Sequence, residues 1–219
     1  SILLFVAVLA GAGVPSGVAH AQTSPLGTPV ATWVPNGTVN GMALDGDLLY
    51  VGGAFDQVNL PTGSFASVDA ATGAVITSGA KLQARVTAIA SDGAGGWYVA
   101  TLTGAFDTAQ AYVDHVQPGG AIDPAWRRPD FGRSLVTGLA IEGGRLFASG
   151  GLATVNGLPR AGIVALDPIS GAVLPWSANL AFTGGSALPS VTGIATSPGR
   201  LYLSGLFTQA GGDARTNFA

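Results

Sequence analysis

A chain of 219 residues is long enough to bury a sizeable core in one or two domains, yet only 10% of it is charged, 47% is hydrophobic and 34 residues are glycine. Average soluble domains carry about a quarter charged residues. This composition therefore points to sheets covered on both faces, where small residues allow close approach and little surface is left for charge. Nine basic residues, Lys81 the only lysine, and a net charge of −3 leave no basic stripe for a phosphate backbone, so nucleic acid is excluded as a partner. The absence of cysteine removes disulfides, thiolate metal ligands and cysteine nucleophiles together.

At the N-terminus, Ile2 to Ala12 is an unbroken apolar run, Pro15 and Gly17 follow, and Ala19-His20-Ala21 gives a small-x-small pattern. This order predicts a signal peptide over residues 1–21, cleaved before Gln22. The apolar run is well short of the roughly 20 residues that cross a bilayer, so no membrane span is expected once the signal is removed. Without an initiating Met or a basic n-region, the sequence reads as starting inside a longer frame.

The mature region, 22–219, is repetitive. Val39-Asn40-Gly41-Met42-Ala43, Val86-Thr87-Ala88-Ile89-Ala90, Val136-Thr137-Gly138-Leu139-Ala140 and Val191-Thr192-Gly193-Ile194-Ala195 are four copies of one pentapeptide at a period of roughly fifty residues. Each is followed by a turn and a second strand: Asp45-Gly46-Asp47 then Leu48 to Gly53, Asp92 to Gly96 then Trp97 to Thr101, Glu142-Gly143-Gly144 then Arg145 to Gly150, and Pro198-Gly199 then Arg200 to Gly205. Turn residues between alternating apolar runs predict hairpins. Polar loops recur next, among them Phe55 to Asn59, Phe106 to Gln110, Ala153 to Asn156 and Phe207 to Ala210. A third strand runs from Leu60-Pro61 to Val68-Asp69 and from Leu158-Pro159 to Leu166-Asp167. The second unit departs with Gln117 where the others have Asp69 and Asp167. Fourth strands are expected at Thr72 to Ile76, Gly120 to Trp126 and Ser170 to Trp176.

Four short strands per unit, with no helical period, predict an all-β protein of β-propeller blades, each a four-stranded antiparallel sheet, in units starting near 39, 86, 136 and 191. The last unit stops within its third strand, while Thr28 to Trp33 reads as a fourth strand without its preceding three. Residues 28–33 are therefore expected to close a final blade, leaving no unpaired edge, and the chain reads as part of a ring with more blades.

Leu49-Tyr50-Val51-Gly52-Gly53-Ala54-Phe55, Val155-Asn156-Gly157-Leu158-Pro159-Arg160 and Val164-Ala165-Leu166-Asp167-Pro168 resemble the delta-60 repeat β-propeller family over essentially all of the mature region. The resemblance implies an extracellular bacterial repeat module, secreted or at the cell surface or in the periplasm, and no particular reaction. A weaker likeness joins Ala165 to Gly171 and Trp176 to the tryptophan-docking repeat of quinoprotein dehydrogenases, although Trp176 stands one residue further from Gly171 than is usual there. Nothing resembling a quinone and calcium site accompanies it.

His115 is the only histidine after residue 21, too few for a multi-histidine zinc site. No nucleophile-elbow, zincin or P-loop pattern occurs. His115 is read as a strand or loop residue, Asp45 with Asp47 as a hairpin turn, and Asp69 and Asp167 as acceptors of turn amides. Asn59 and Asn156 are read as left-handed turn residues, and Trp33, Trp126 and Trp176 as inter-blade packing. Residues present in every unit serve the unit, so a specific site belongs where units differ. Two such places exist: Arg127, Arg128 and Arg133 with Asp130, readable as an anion contact or as a solvated loop, and the insertion Phe182 to Pro189. The expected function is binding or scaffolding toward a protein or carbohydrate ligand, without catalytic residue, metal or cofactor. The alternative is a propeller enzyme, a quinone-dependent oxidoreductase or a polysaccharide-active hydrolase or lyase, whose site lies outside this sequence.

Overall fold

The computed structural model describes residues 35–219 except 46–47, 59, 62–63, 77–81, 83, 105–107 and 186. The signal segment 1–21, the strand at 28–33 with Trp33, and Gly46, Asp47, Asn59, Lys81, Phe106 and Asp107 lie outside the described residues.

All regular elements among the described residues are strands, and all sheets are antiparallel. The first sheet joins β1 (Thr38–Asp45) and β2 (Leu48–Ala54) to β5 (Phe65–Asp69) and β6 (Val75–Ile76), with a small hairpin of β3 (Gln57–Val58) and β4 (Leu60–Pro61) inserted. The second sheet is β7 (Arg85–Ser91), β8 (Trp97–Thr103) and β9 (Gln110–Val116). The third is β10 (Val136–Glu142), β11 (Arg145–Gly150) and β14 (Ile163–Leu166), with its inserted hairpin β12 (Thr154–Val155) and β13 (Leu158–Pro159). The fourth pairs β15 (Ser190–Ser197) with β16 (Arg200–Leu206), followed by the hairpin β17 (Gln209–Ala210) and β18 (Asp213–Ala214).

Three local features differ from the sequence expectation. The polar loops form two-residue ladders in the first, third and fourth sheets. The third strand of the second sheet, β9, spans seven residues despite Gln117. The fourth strand is two residues long in the first sheet and a single bridge in the second, Val116 with Ile122, and the third, Leu166 with Val173. Pro124 and Pro175 follow those bridges closely and have no N–H with which to extend the ladder.

Each pentapeptide opens the first strand of a sheet, and each carries a β-bulge at the same place: between Val39 and Gly41, Val86 and Ala88, Val136 and Gly138, and Val191 and Gly193. The extra residue bends the strand, and in the first and third sheets its side chain reaches the next sheet. Asn40 Nδ2 donates to Val86 O at 2.9 Å and Thr137 Oγ1 to Val191 O at 2.9 Å. Small residues make the approach possible. A Cβ at Gly138 would stand 2.6 Å from Ile194 Cγ2.

Consecutive sheets pack through their first strands, β1 on β7, β7 on β10 and β10 on β15. Between the first two sheets, Trp97 stacks on Phe65 at 5.0 Å and meets Tyr50 at 4.8 Å, pairs that contribute about 1 kcal/mol each beyond burial. The second and third sheets bury Tyr98, Trp126, Phe131, Leu146 and Leu152 together. The third and fourth bury Phe147, Ile163, Leu203 and Phe207, with Trp176 edge-on to Phe147 at 4.9 Å. The segment before a sheet docks on that sheet's hairpin: Asn36 on Asp56 and Gln57, Asp130 on Asn156, and Ala181 on Thr208 and Gln209.

Turns use the chemistry read from the sequence. Asp69 Oδ1 accepts the amides of Ala71 and Thr72, and Asp167 Oδ1 those of Ile169 and Ser170. Asn156 is left-handed at φ 50°.

Candidate functional site

Three places differ chemically from the repeated frame. The first is the segment after Trp126, whose indole Nε1 donates to Val113 O at 2.8 Å and anchors the chain in the core. Beyond it the three arginines have different surroundings. Arg128 Nη2 meets Asp114 Oδ2 at 2.8 Å, and its guanidinium lies 4.0 Å over the Tyr112 ring. Asp114 is buried, and that burial raises its carboxyl above the usual range, with Arg128 opposing. Arg127 and Arg133 are exposed and pair with no described carboxylate. Arg127 is fixed by its backbone, whose N–H donates to Ser170 O of the third sheet at 2.9 Å. Asp130, which shares this segment, accepts from Gln110 Nε2 and the Gly132 amide and donates its own amide to Asn156 Oδ1.

The second place is His115 on β9. Its Nε2 stands 3.0 Å from Asp92 Oδ2, in the turn between β7 and β8, and its Nδ1 stands 2.8 Å from Asp123 Oδ2, in the turn after β9. The imidazole stacks on Tyr98 at 4.6 Å and lies 5.9 Å from the Trp126 ring. Burial opposes the charge on Asp92, but the Ala94 amide, His115 and the Gly96 amide hold its carboxyl below the usual range. The Ala125 amide and His115 do the same for Asp123. Burial, with Asp92, Asp167 and Asp123 nearby, pushes the Tyr98 phenol up to about 12, and its hydroxyl donates to Pro168 O at 2.6 Å. With Tyr98 engaged there, no hydroxyl among the described residues hydrogen-bonds to the imidazole. Sequence reading placed His115 in a strand or loop but missed this cluster. The facing positions of the first and third sheets, Ser67 and Ala165, carry no imidazole, and that local departure was the available signal.

The third place is a cavity of about 220 Å³ where the four first strands meet, lined by Asn40, Met42, Ile89, Thr137, Leu139 and Ile194 among others. Its two polar side chains, Asn40 and Thr137, already donate to backbone carbonyls. The insertion Phe182 to Pro189 lies elsewhere: Thr183 N donates to Thr208 Oγ1 at 2.9 Å, and Leu188 is exposed. Among the described residues, no three or more His, Cys, Asp or Glu are placed to hold a metal ion, and no helix is long and apolar enough to cross a membrane.

These features define the class: an all-β protein of small antiparallel sheets packed in series through their first strands. No protein-family model matches the chain, and no curated protein matches it. Among solved structures it is similar to the computationally designed Ika4 protein, with 14% identity, a TM-score of 0.50, and coverage of 82% of this chain and 92% of that one. It is also similar to the computationally designed Ika8 protein, at 12% identity and a TM-score of 0.40 over 82% of this chain and 63% of that one. At such identity the Ika4 likeness concerns the fold alone.

Proposed function

We propose that the protein is an exported β-propeller of the delta-60 repeat type that binds a protein or carbohydrate ligand without transforming it. One observation carries this reading: four sheets, each opened by the same pentapeptide with the same bulge, pack in series and turn their first strands to one shared cavity. That is the arrangement expected of successive blades around an axis. Residues 28–33 are assigned to close a final blade of that ring; in the fourth sheet a third strand is represented by the bridge of Ser204 with Phe218. Export is carried by the apolar run and the Ala19-His20-Ala21 pattern.

The ligand is assigned to the rim, where units differ. Arg127 and Arg133 present guanidiniums unpaired among the described residues, beside a segment pinned by Trp126 and Asp130. An acidic glycan or acidic peptide matches that charge. The test is a glycan and peptide array probed with the purified chain and with an Arg127→Ala/Arg133→Ala variant. Binding to acidic members, lost in the variant with the unfolding midpoint unchanged, is the expected result. Turnover of a substrate in a hydrolase or dehydrogenase screen would overturn the reading.

A further inference from the structure

We propose that His115 is a proton-dependent latch that fastens the Asp123 turn to the second sheet and, through that turn, sets how the second sheet joins the third. The inference stands on geometry and is independent of the ligand proposal. An ionised carboxylate can only accept hydrogen bonds, so an imidazole satisfying one on each nitrogen must donate from both, which only the doubly protonated ring can do. Asp92 and Asp123 present that demand at 3.0 and 2.8 Å on opposite edges of the ring. Proton loss turns one N–H donor into a lone pair facing a carboxylate oxygen, and one of the two turns is released.

The Asp123 turn is the one freed. Two backbone amides, Ala94 and Gly96, donate to Asp92 Oδ1, whereas the Asp123 side chain has Ala125 alone. Release is transmitted along a short covalent path. Asp123 O accepts from Trp126 N, the Trp126 indole is seated in the core shared by the second and third sheets, and Arg127 N donates across to Ser170 O. Tyr98, which stacks on the imidazole, makes its own bond across the same joint, to Pro168 O.

The titratable groups packed around the ring come from every neighbouring element. From the turn between β7 and β8 comes Asp92, from β8 comes Tyr98, from the turn after β9 comes Asp123, and from the third sheet comes Asp167, near Tyr98. On the strand itself Asp114 is bound to Arg128. Only carboxylates reach the imidazole nitrogens.

Amide exchange of the full chain, followed from acid to alkaline pH, tests the latch. In the wild type the protection factor of the Ala125 amide is expected to fall roughly tenfold across this range, the factor a hydrogen bond to a charged group commands. His115→Phe, which keeps a ring against Tyr98, and Asp123→Asn are each expected to abolish that fall. Long-range proton–nitrogen NMR is expected to find both ring nitrogens protonated at the acid end. Constant Ala125 protection in the wild type, an undiminished fall in His115→Phe, or a single neutral tautomer throughout would each overturn the proposal. Should His115→Phe not fold, the Asp123→Asn profile and the ring spectrum decide alone.

Discussion

Replacing Gly150 by alanine tests the close approach of β10 and β11 within the third sheet, where an added Cβ has as little room as at Gly53 of the first. Gly150 ends β11 opposite Val136, beside the bulge of the third sheet, and an added Cβ would lie 1.9 Å from Leu135 O and 3.1 Å from Val136 Cα. Both are backbone atoms, so no side chain can swing away. Relief requires the β10–β11 edge to open by more than an ångström. That would disturb the bonds from Gly150 N to Gly162 O and from Gly151 N to Leu135 O, about 1 kcal/mol each, and would crowd buried Val136, a cost of about 1–3 kcal/mol. The total is about 3–5 kcal/mol, or on the order of 10 °C in Tm for a chain of this size. Gly151 is the control: its added Cβ would meet nothing nearer than Ser190 Oγ at 3.9 Å, so Gly151→Ala should be neutral or stabilising by up to about 1 kcal/mol. Denaturant unfolding of both variants measures the difference. Midpoints and slopes placing the two within 1 kcal/mol of each other would refute the claim that the bulge fixes this glycine.

Other predictions address the polar framework. Trp126→Phe keeps most of the apolar bulk but leaves Val113 O without its donor, and should lower stability by about 1–3 kcal/mol in denaturant titration. Arg128→Ala removes the partner of buried Asp114; because Arg128 is itself 45% exposed, the loss at neutral pH should be only about 1–2 kcal/mol. The folded carboxyl of Asp114 is raised, so the folded chain keeps its proton longer than the unfolded chain, and this group's destabilisation grows as pH rises through that interval. The Arg128→Ala deficit should accordingly shrink at about pH 3, measured as a difference in unfolding midpoints. For Asp69 and Asp167, lowered chiefly by bonds from Thr72 and Ser170 respectively, the sign reverses. Their contribution is present above the unfolded carboxyl value and disappears as pH falls through the folded one, so Asp167→Asn should flatten the acid limb of the stability profile. Spectrophotometric titration should show Tyr98 ionising late, near 12, and Tyr98→Phe, which leaves Pro168 O without this donor, should lose about 1 kcal/mol.

Much of the architecture is legible because local chemistry repeats. The Val-x-Gly/Ala start of each first strand, the Asp-centred turns and the left-handed Asn156 are short-range choices that sequence spacing exposes. The bulges were not legible: a five-residue pattern shows alternation but not where a partner strand skips a residue. Pro124 and Pro175 were visible, yet their effect in curtailing the fourth strands depends on where the third strand ends. At the candidate sites the limits are of the same kind. Arg127, Arg128 and Arg133 were found together in sequence, but only the fold shows that Arg128 is committed to Asp114 and Tyr112. His115 gains its carboxylates from turns 23 residues before and 8 residues after it, a convergence set by the register of β8 with β9.

The side chains of Asn40 and Thr137, each reaching forward to a carbonyl of the following sheet, give the array a direction. Each of the three joints between the described sheets is made from segments about fifty residues apart, so each can form as soon as its two sheets have emerged. The series therefore behaves as a zipper with teeth of unequal grip. The middle joint, which holds the largest buried cluster and the Tyr98 crossing to Pro168, is the natural nucleus, and opening spreads outward from it last. In the first sheet Met42 is 52% exposed, where its counterpart Ile89 in the second is 6% exposed. Lower protection is accordingly expected along β1 than along β7, and amide exchange on those two strands reads the difference.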